Sequence, residues 1–452
     1  MKTTRLLIIG GSDAGILAAL RAREMDPGLE ITLVASDAYP NYSICGLPFF
    51  LGGEVADWKS LAHRTREDIE RENIRLLLEH EVIAIEPGTR RVEIREPGGR
   101  TRMTSYDRLI LATGAVSARP DIPGLDSPGV FFLRWMRDGF ALHEYLEERR
   151  PRSALIVGGG YIGMEMAEAF RERGMVATLV ESSPSVLKNL EPELGAVLRE
   201  ELERHRVRVI PGTRVTALEN FGDGLSAAGS NGFEANADLV LVAAGSRPRI
   251  DLAETGGIRL GPTGAVRVDR RMRTNLPDVY AAGDCAETWH RLLERPVWLP
   301  LGSTSHRQGR VAGENAAGGD REYAGTLGTQ VVRVFNLVAA RTGLIQREAE
   351  EAGFEARTIP FNAWDHKAYY PGAGTLHMRL TGDEAGRRLL GAQIVGPIGA
   401  QVAKRIDILA SALFHGMRMD ELEDLDLSYT PPLSSPFDPI QMAAQHWMKG
   451  KS

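Results

Sequence analysis

The chain is poor in cysteine, since its 452 residues include only two, Cys45 and Cys285. Two thiols so far apart form no disulfide framework and lack the spacing of a zinc site, so we expect no metal and a reducing, cytoplasmic setting. No uninterrupted apolar run is long enough to span a bilayer, and the first residues lack a basic leader and a cleavage site. We therefore expect a cytoplasmic protein with no membrane partner.

An excess of positive charge is also missing. The chain has 54 basic and 60 acidic residues, which gives a formal net charge of -6. This balance does not favour nucleic acid or an anionic membrane surface as a partner. The 43% of hydrophobic and 25% of charged residues are typical of a folded protein. The length allows about three domains, each with its own core.

A glycine-rich turn follows the first predicted strand. Residues 6–9 form a continuous apolar run, typical of a buried parallel strand, and residues 16–25 have a helical pattern. Glycines between a strand and a helix let the backbone approach a pyrophosphate, to which the helix N-terminus offers N–H groups. The turn positions that suit a dinucleotide are Gly10, Ser12 and Gly15.

This first turn departs from the ideal pattern at two positions. Ser12 replaces the middle glycine, and Ala35 stands where a ribose-binding acid is expected after the second strand. Asp37 or Ser36 would substitute for that acid. Taken alone, the pattern leaves open a glycine-rich turn that binds no ligand.

A second copy of the pattern is complete. Residues 154–157 form an apolar strand, and the G-x-G-x-x-G spacing that follows is supplied by Gly158, Gly160 and Gly163. The next strand ends on Glu181, which suits both hydroxyls of an adenosine ribose and repels a 2′-phosphate. Glu181 favours NADH over NADPH, although nearby arginines could reverse this preference. Two such units in one chain predict two dinucleotide sites.

Further segments indicate FAD at the first site. Two predicted strands run into turns at Thr113-Gly114 and at Gly245, and another delivers Gly283-Asp284, where the carboxylate can hold a flavin ribityl hydroxyl. These motifs follow the order found in pyridine nucleotide–disulfide oxidoreductases, and the chain resembles that family over essentially its whole length. The resemblance implies FAD and NADH or NADPH as cofactors.

The resemblance also implies the architecture. We expect an α/β protein with two Rossmann-like dinucleotide-binding domains and a C-terminal α+β dimerisation domain. The FAD-binding domain would be discontinuous, over residues 1–117 and 246–325, with the NAD(P)H-binding domain at 118–245 and the dimerisation domain at 326–452. Alternating strand patterns at residues 330–335 and 375–380 agree with a sheet in the last domain. A homodimer is expected.

Cys45 is the candidate redox centre. In the two-cysteine branches of the family a second cysteine lies five positions further on, where this chain has Phe50. The segment from Cys45 onward is predicted to begin a helix, whose N-terminus would lower the thiol pKa and favour the thiolate. A buried structural thiol is the alternative. For Cys285, which directly follows Asp284, we expect that structural role.

The hexapeptide Cys-Gly-Leu-Pro-Phe-Phe resembles a single-cysteine branch of the family. That branch contains coenzyme A disulfide reductases, NAD(P)H-dependent persulfide and sulfur reductases, and related NADH oxidases. Four C-terminal segments are similar to it, at residues 369–372, 390–396, 404–407 and 429–432. In the coenzyme A enzymes, tyrosines in this region reach the partner's cysteine, which nominates Tyr370 and Tyr429, with Tyr369 as a further candidate. Aromatic packing at a dimer interface is the alternative for each.

The branch implies that electrons pass from the nicotinamide through the flavin to a mixed disulfide on Cys45, while a tyrosine protonates the leaving thiol. Glu165 matches a family residue near the nicotinamide, with an exposed helix surface as its alternative. Asp13 stands where peroxidase relatives carry an acid–base histidine. It either donates a proton or only favours the start of the helix.

The sequence says less about which thiol leaves the mixed disulfide on Cys45 than about the cofactors. Arg23 and Arg64 match positions that help hold coenzyme A phosphates, although arginines are common on polar helix faces. Asn41 and Ile44 stand where the coenzyme A enzymes carry serine and asparagine, which removes one polar contact near the thiol. We predict a reductase of a small disulfide or persulfide, with coenzyme A as the leading thiol. The alternatives are an NADH oxidase that reduces oxygen or peroxide and an electron-transfer reductase for a protein partner.

Overall fold

The computed structural model describes residues 3–450. Its strands, in chain order, are β1 (Arg5–Ile9), β2 (Glu30–Val34), β3 (Ile74–Leu77), β4 (Glu81–Glu86), β5 (Arg91–Arg95), β6 (Thr101–Ser105), β7 (Arg108–Leu111), β8 (Ala115–Ser117), β9 (Val130–Phe131), β10 (Ser153–Val157), β11 (Val176–Val180), β12 (Val207–Ile210), β13 (Val215–Phe221), β14 (Gly224–Gly229), β15 (Glu234–Ala237), β16 (Leu239–Val242), β17 (Ser246–Pro248), β18 (Val279–Ala281), β19 (Thr288–His290), β20 (Arg295–Val297), β21 (Gln330–Val334), β22 (Leu337–Gly343), β23 (Ala356–Trp364), β24 (Thr375–Asp383) and β25 (Leu389–Pro397). Its α-helices are α1 (Asp13–Met25), α2 (Leu47–Gly52), α3 (Arg66–Arg71), α4 (Met136–Arg149), α5 (Tyr161–Glu172), α6 (Pro192–Arg204), α7 (Asp251–Thr255), α8 (Gly302–Ala316), α9 (Gln346–Glu351), α10 (Val402–Phe414), α11 (Met419–Glu423) and α12 (Pro439–Lys449).

Two parallel five-stranded sheets carry the two dinucleotide patterns. The first sheet has the order β3-β2-β1-β7-β18, and each neighbouring pair is parallel. The second has the order β12-β11-β10-β16-β9 and is also parallel. β1 and β10 are the central strands, and all but the first residue of each is buried. Burial on both faces explains their continuous apolar runs.

The chain passes between these sheets at a short antiparallel ribbon. β8 leaves the first sheet and pairs with β17, which returns from the second, so that Ser117 lies opposite Ser246. β18 then rejoins the first sheet beside β7. This connectivity supports an inserted second unit, and the boundaries near residues 117 and 246 stay a prediction.

The C-terminal part is built on an antiparallel sheet of order β21-β22-β25-β24-β23. Eight of the nine residues of β25 are buried, and apolar side chains of α10 and α12, including Leu409 and Trp447, complete the core. The two strand patterns expected here correspond to β21 and β24. The predicted fold class is confirmed. Among residues 3–450, no helix has both the length and the apolar character needed to cross a bilayer.

Helices α1 and α8 approach each other closely because glycine lies at the contact. A Cβ atom at Gly309 would lie 2.3 Å from the carbonyl oxygen of Ala14, and one at Gly313 would lie 2.1 Å from that of Ala18. Any larger side chain would force the helices apart. The contact fixes the start of α8 beside the start of α1, at the edge of the first sheet.

Candidate active site

A cavity of about 1280 Å³, including its open mouth, lies beyond the carboxyl ends of the first sheet. Its walls come from the segments that follow β1, β2, β7 and β18, and from Cys45 and Arg134. Ligands bind at this edge of open parallel sheets, because the loops there converge on a crevice. The cavity therefore joins the first glycine turn and the candidate cysteine in one site.

The first glycine turn has the geometry of a pyrophosphate cradle. Gly10 has a φ of +123°, and a Cβ there would lie 2.0 Å from the carbonyl oxygen of Ala112. A Cβ at Gly15 would lie 1.9 Å from the carbonyl oxygen of Gly10, so glycine is required at both ends of the turn. Ser12 precedes α1 without a capping hydrogen bond from its side chain, which leaves the helix N–H groups for a ligand. These features fit the pyrophosphate of FAD.

Two acids and a turn line the rest of this cavity. Asp37 accepts a hydrogen bond from the backbone N–H of Tyr39 at 3.1 Å, and burial raises its pKa. Gly114 lies beside Thr113, whose hydroxyl donates to the carbonyl oxygen of Arg249 at 2.8 Å and so fixes the turn. At the other end Gly283 and Asp284 are brought in by β18. The lining of the cavity thus includes the polar side chains of Asp37, Thr113 and Asp284.

The second glycine turn repeats the first in the other parallel sheet. Gly158 has a φ of +114°, and a Cβ at Gly163 would lie 1.9 Å from its carbonyl oxygen. Glu181 accepts hydrogen bonds from the backbone N–H groups of Gly159 at 2.7 Å and Ser183 at 2.6 Å. Burial opposes ionisation of Glu181, but these hydrogen bonds lower its pKa. An ionised acid therefore lies at the turn, as recognition of an unphosphorylated ribose requires. Gly160 lies between Gly158 and Gly163 in this turn, and Gly245 follows β16, a strand of the same sheet.

Cys45 lies in a 3₁₀ turn, Ile44–Gly46, that leads into α2. The residue is exposed and faces the cavity. The expectation of a lowered thiol pKa was wrong. Protein on its other sides desolvates the thiolate, and the charges of Glu165, Asp13 and Asp284 add to this, so the pKa is raised. The positive charge of Arg134 opposes this shift and lowers the thiol pKa.

Glu165 is half-buried in α5, so the alternative of an exposed helix surface was wrong. Burial, reinforced by repulsion from Glu168, raises its pKa to about 7, while Arg333 lowers it. Arg333 also pairs with Glu168 at 2.9 Å and reaches Glu54 beyond α2. A carboxyl group that changes charge near neutral pH therefore lies within electrostatic range of Cys45.

The structure separates the other candidate catalytic residues. Asp13 lines the cavity. Tyr370 and Tyr429 belong to the C-terminal part, where their side chains are 44% and 43% exposed. Neither tyrosine is among the described residues that line the cavity. Their loops contact each other through the N–H of Lys367 and the carbonyl oxygen of Pro431, at 3.2 Å. Both tyrosines are therefore available to a second copy.

The candidate substrate-binding residues differ in whether their polar groups are already engaged in hydrogen bonds within the protein. Asn41 is 1% exposed, and its Oδ1 accepts a hydrogen bond from Arg64 at 3.4 Å. Among residues 3–450, its Nδ2 has no hydrogen-bond partner. Arg23 instead donates three hydrogen bonds to carbonyl oxygens, those of Pro27, Glu72 and Asn73. The guanidinium of Arg23 is thus already engaged by the backbone, and Asn41 with Arg64 forms the better polar pair for a ligand.

The family model described as pyridine nucleotide-disulphide oxidoreductase matches residues 4–309. The chain belongs to this family. The dimerisation domain of the same family matches residues 329–439. Pyridine nucleotide-disulphide oxidoreductases depend on FAD and NAD(P)H, so the predicted cofactors and the resemblance itself are confirmed.

Similar proteins cover almost the whole chain. An NAD(P)H sulfur oxidoreductase (CoA-dependent) of Pyrococcus furiosus is 34% identical over 446 residues, 98% of this chain and 99% of the relative. An NADH oxidase of Methanocaldococcus jannaschii is 32% identical over 450 residues, 98% of this chain and 99% of the relative. The structure of an NAD-dependent persulfide reductase from A. fulgidus superposes with a TM-score of 0.95 at 35% identity, covering 99% of this chain and 84% of that chain.

Three residues of this oxidoreductase site escaped the sequence analysis. Arg134 pairs with the carboxylate of Asp284, and Ser305 donates to the same carboxylate at 2.9 Å. His306 faces Asp13 from α8. Each comes from a segment distant in sequence and has no local motif. The available signal in the sequence was the polar triplet Ser303-Thr304-Ser305, at the start of a helix that follows the predicted strand leading to Asp284.

Proposed function

We propose that this oxidoreductase uses NAD(P)H to reduce a small-molecule disulfide or persulfide through Cys45 alone. One observation carries the proposal: the exposed thiol faces the same cavity as the flavin-type glycine turn, with Phe50 where a resolving cysteine would be. The other thiol, Cys285, is fully buried and directed to the carbonyl oxygen of Leu111 at 3.6 Å. The second sulfur of any disulfide at Cys45 must then come from a substrate.

The residues of the chain have separate roles in this reaction. Bound FAD would supply the transfer of an electron pair from NAD(P)H to the sulfur on Cys45. Gly10, Gly15 and Asp284 would hold it, while Gly160 and Glu181 would hold the nicotinamide nucleotide. Cys45 keeps one half of the substrate as a mixed disulfide, and its raised pKa favours the protonated thiol after release. With a disulfide, the overall reaction consumes the disulfide, one NAD(P)H and one proton, and yields two thiols and NAD(P)⁺. With a persulfide, the products are one thiol, hydrogen sulfide and NAD(P)⁺.

Coenzyme A is the leading thiol. The buried and unpartnered Nδ2 of Asn41 and the adjacent guanidinium of Arg64 are donors that suit the phosphate or amide groups of such a ligand. The sulfur oxidoreductase of Pyrococcus furiosus, which is CoA-dependent, supports this choice. The ionised Glu181 favours NADH.

A homodimer would complete the site. The dimerisation domain carries an exposed apolar group made of Tyr369, Tyr370, Tyr429, Leu433 and Phe437, each at least 43% exposed. Such a patch marks an interaction surface. Pairing of two copies would bring Tyr370 or Tyr429 toward the partner's cysteine, where a phenol can protonate the leaving thiolate. The two cysteines of the chain, Cys45 and Cys285, form no disulfide with each other, which fits a cytoplasmic setting.

The decisive variants are Cys45→Ser and, as the matched control, Cys285→Ser. We expect Cys45→Ser to abolish reduction of coenzyme A disulfide and of persulfide while NADH still bleaches the flavin absorbance. Cys285→Ser should keep turnover, since its thiol is away from the cavity surface. Wild-type turnover in Cys45→Ser would contradict the proposal and would favour electron transfer to a protein partner. Faster NADH consumption with oxygen than with any disulfide would favour the oxidase.

A further inference from the structure

Arg333 lies in β21 of the C-terminal sheet and contacts two segments outside that sheet. Its Nη1 donates a hydrogen bond to Oε2 of Glu54 at 3.1 Å, and its Nη2 donates to the other oxygen of the same carboxylate. Nη2 also lies 2.9 Å from Oε1 of Glu168 in α5. Glu54 follows α2, the short helix that begins directly after the turn of Cys45. The guanidinium therefore joins the thiol segment, the helix after the second glycine turn, and the C-terminal sheet.

The guanidinium of Arg333 is held in a defined orientation. Its Cζ lies 5.0 Å from the ring centroid of Phe49, which is within the range of a cation–π contact. Glu168 is 8% exposed, and its Oε2 accepts a hydrogen bond from the backbone N–H of Phe335 at 2.8 Å. Phe335 directly follows β21, so this carboxylate is fixed by the same segment as the arginine. The two-pronged contact with Glu54 adds geometric specificity that a single hydrogen bond would lack.

The position of α2 depends on directed contacts of this kind. The helix has six residues, and a helix of that length is not stable by itself. Four of the six residues are buried, but apolar attraction has no direction. Where α2 meets α5, a Cβ at Gly52 would lie 3.1 Å from Cα of Ala169, so the two helices are in close contact. Hydrogen bonds to α5 and β21 then fix α2, since Arg173 donates to a backbone carbonyl of α2 and Arg333 holds Glu54.

We propose that Arg333 is a positioning residue for Cys45, on which it acts through Glu54 and α2. The inference rests on the proposed function, in which a mixed disulfide on Cys45 is reduced. That step depends on where the sulfur lies in the cavity, because a displacement of about 1 Å can slow a reaction by about 100-fold. Reduction of the flavin by NADH does not involve the thiol. Arg333 therefore affects the second half of the reaction and leaves the first half unchanged.

An effect on position and a direct effect of charge predict different signs for the thiol pKa. Burial is the main cause of the raised pKa of Cys45, and the charges that act on it belong to Glu165, Asp13, Arg134 and Asp284. A displaced α2 would let water reach the thiol, so the pKa would fall when either Arg333 or Glu54 is replaced. If the two side chains acted only by charge, loss of the Arg333 cation would raise the thiol pKa and loss of the Glu54 anion would lower it.

The first test measures the rate of alkylation of Cys45 by iodoacetamide against pH in the dithiothreitol-reduced protein, with Cys45→Ser as the background. We expect the midpoint of reactivity to fall by about 0.5 to 1 pH unit in both Glu54→Ala and Arg333→Gln. Arg333→Lys, which keeps the cation, should lie between Arg333→Gln and the wild type. Glu54→Ala leaves the buried Glu168 paired, so it decides the matter if Arg333→Gln does not fold.

The matched control is Glu203→Ala. Glu203 is 42% exposed, close to the 44% of Glu54, and it also pairs with an arginine, Arg199, at 2.7 Å. Both members of that pair belong to α6, so the pair does not join α2 to another segment. Its removal should leave the alkylation midpoint of Cys45 at the wild-type value.

A second readout follows the two halves of the reaction separately. In Arg333→Gln, kcat for disulfide reduction should fall about tenfold, while the KM for NADH and the rate of flavin reduction by NADH stay within about twofold of wild type. Unchanged alkylation midpoints, midpoints that move in opposite directions in Glu54→Ala and Arg333→Gln, or equal slowing of both halves would overturn the positioning role. The expected midpoints in a protein that reduces no disulfide would retain that role and reject the proposed substrate.

Discussion

Replacing Gly160 by alanine tests the second nucleotide site without disturbing the fold. A Cβ at Gly160 would meet no atom of residues 3–450 within 4 Å, and the φ of -82° at this position is open to alanine. Stability should therefore change by no more than about 0.5 kcal/mol. A bound pyrophosphate would have to retreat by about 1 Å from the new methyl group, which we expect to raise the KM for NADH by about 10- to 100-fold, or about 1.4 to 2.8 kcal/mol.

Gly163→Ala is the matched comparison. Its Cβ would start 1.9 Å from the carbonyl oxygen of Gly158, where real contacts are not shorter than 3.0 Å, so the turn itself must open. This variant should lose about 1 to 3 kcal/mol of stability as well as NADH affinity. The assays are steady-state KM, thermal unfolding, and flavin content by absorbance, which should stay at wild-type level in Gly160→Ala. An unchanged KM in Gly160→Ala would refute the assignment of the nicotinamide nucleotide to this turn.

Four further predictions concern the charges and hydroxyls around the site. In Glu165→Gln, Cys45 should alkylate faster above pH 7, since a charge that raises the thiol pKa is gone. As pH rises from 4.5 through about 7, the free energy of unfolding of the wild type should fall relative to that of Glu165→Gln. The reason is that burial disfavours the ionised carboxylate in the folded state. Glu181→Ala should raise the KM for NADH about tenfold and that for NADPH less, and equal changes would contradict the ribose contact. Tyr370→Phe and Tyr429→Phe should slow disulfide reduction but not flavin reduction by NADH, and equal slowing of both steps would exclude a proton-donor role.

The glycine turns were accessible to sequence analysis because their constraints are local. Gly10 and Gly158 need a positive φ, and Gly15 and Gly163 need room for a carbonyl oxygen five residues earlier. A strand, turn and helix in one short segment determine all of these requirements. The buried strands beside them were predictable for the same reason, since burial on both faces demands an unbroken apolar run.

The state of the thiol was not accessible in the same way. The start of a helix suggested a lowered pKa for Cys45, but the segment is a 3₁₀ turn followed by only six helical residues. Desolvation and carboxylates from distant parts of the chain outweigh that local effect. Asp13 and His306 likewise meet only because α1 and α8 pack through glycine. Charges brought together by tertiary packing leave no pattern in the sequence.

The central claim, that Cys45 forms a mixed disulfide with a small thiol, is tested most directly by the intact mass of the purified protein. The measurement is made under non-reducing conditions, before and after dithiothreitol, with the adduct located by peptide mapping. We expect an adduct of the mass of coenzyme A on Cys45 that the reductant removes. A bare thiol, or a mass increase corresponding only to oxygen, would contradict the claim and favour the oxidase.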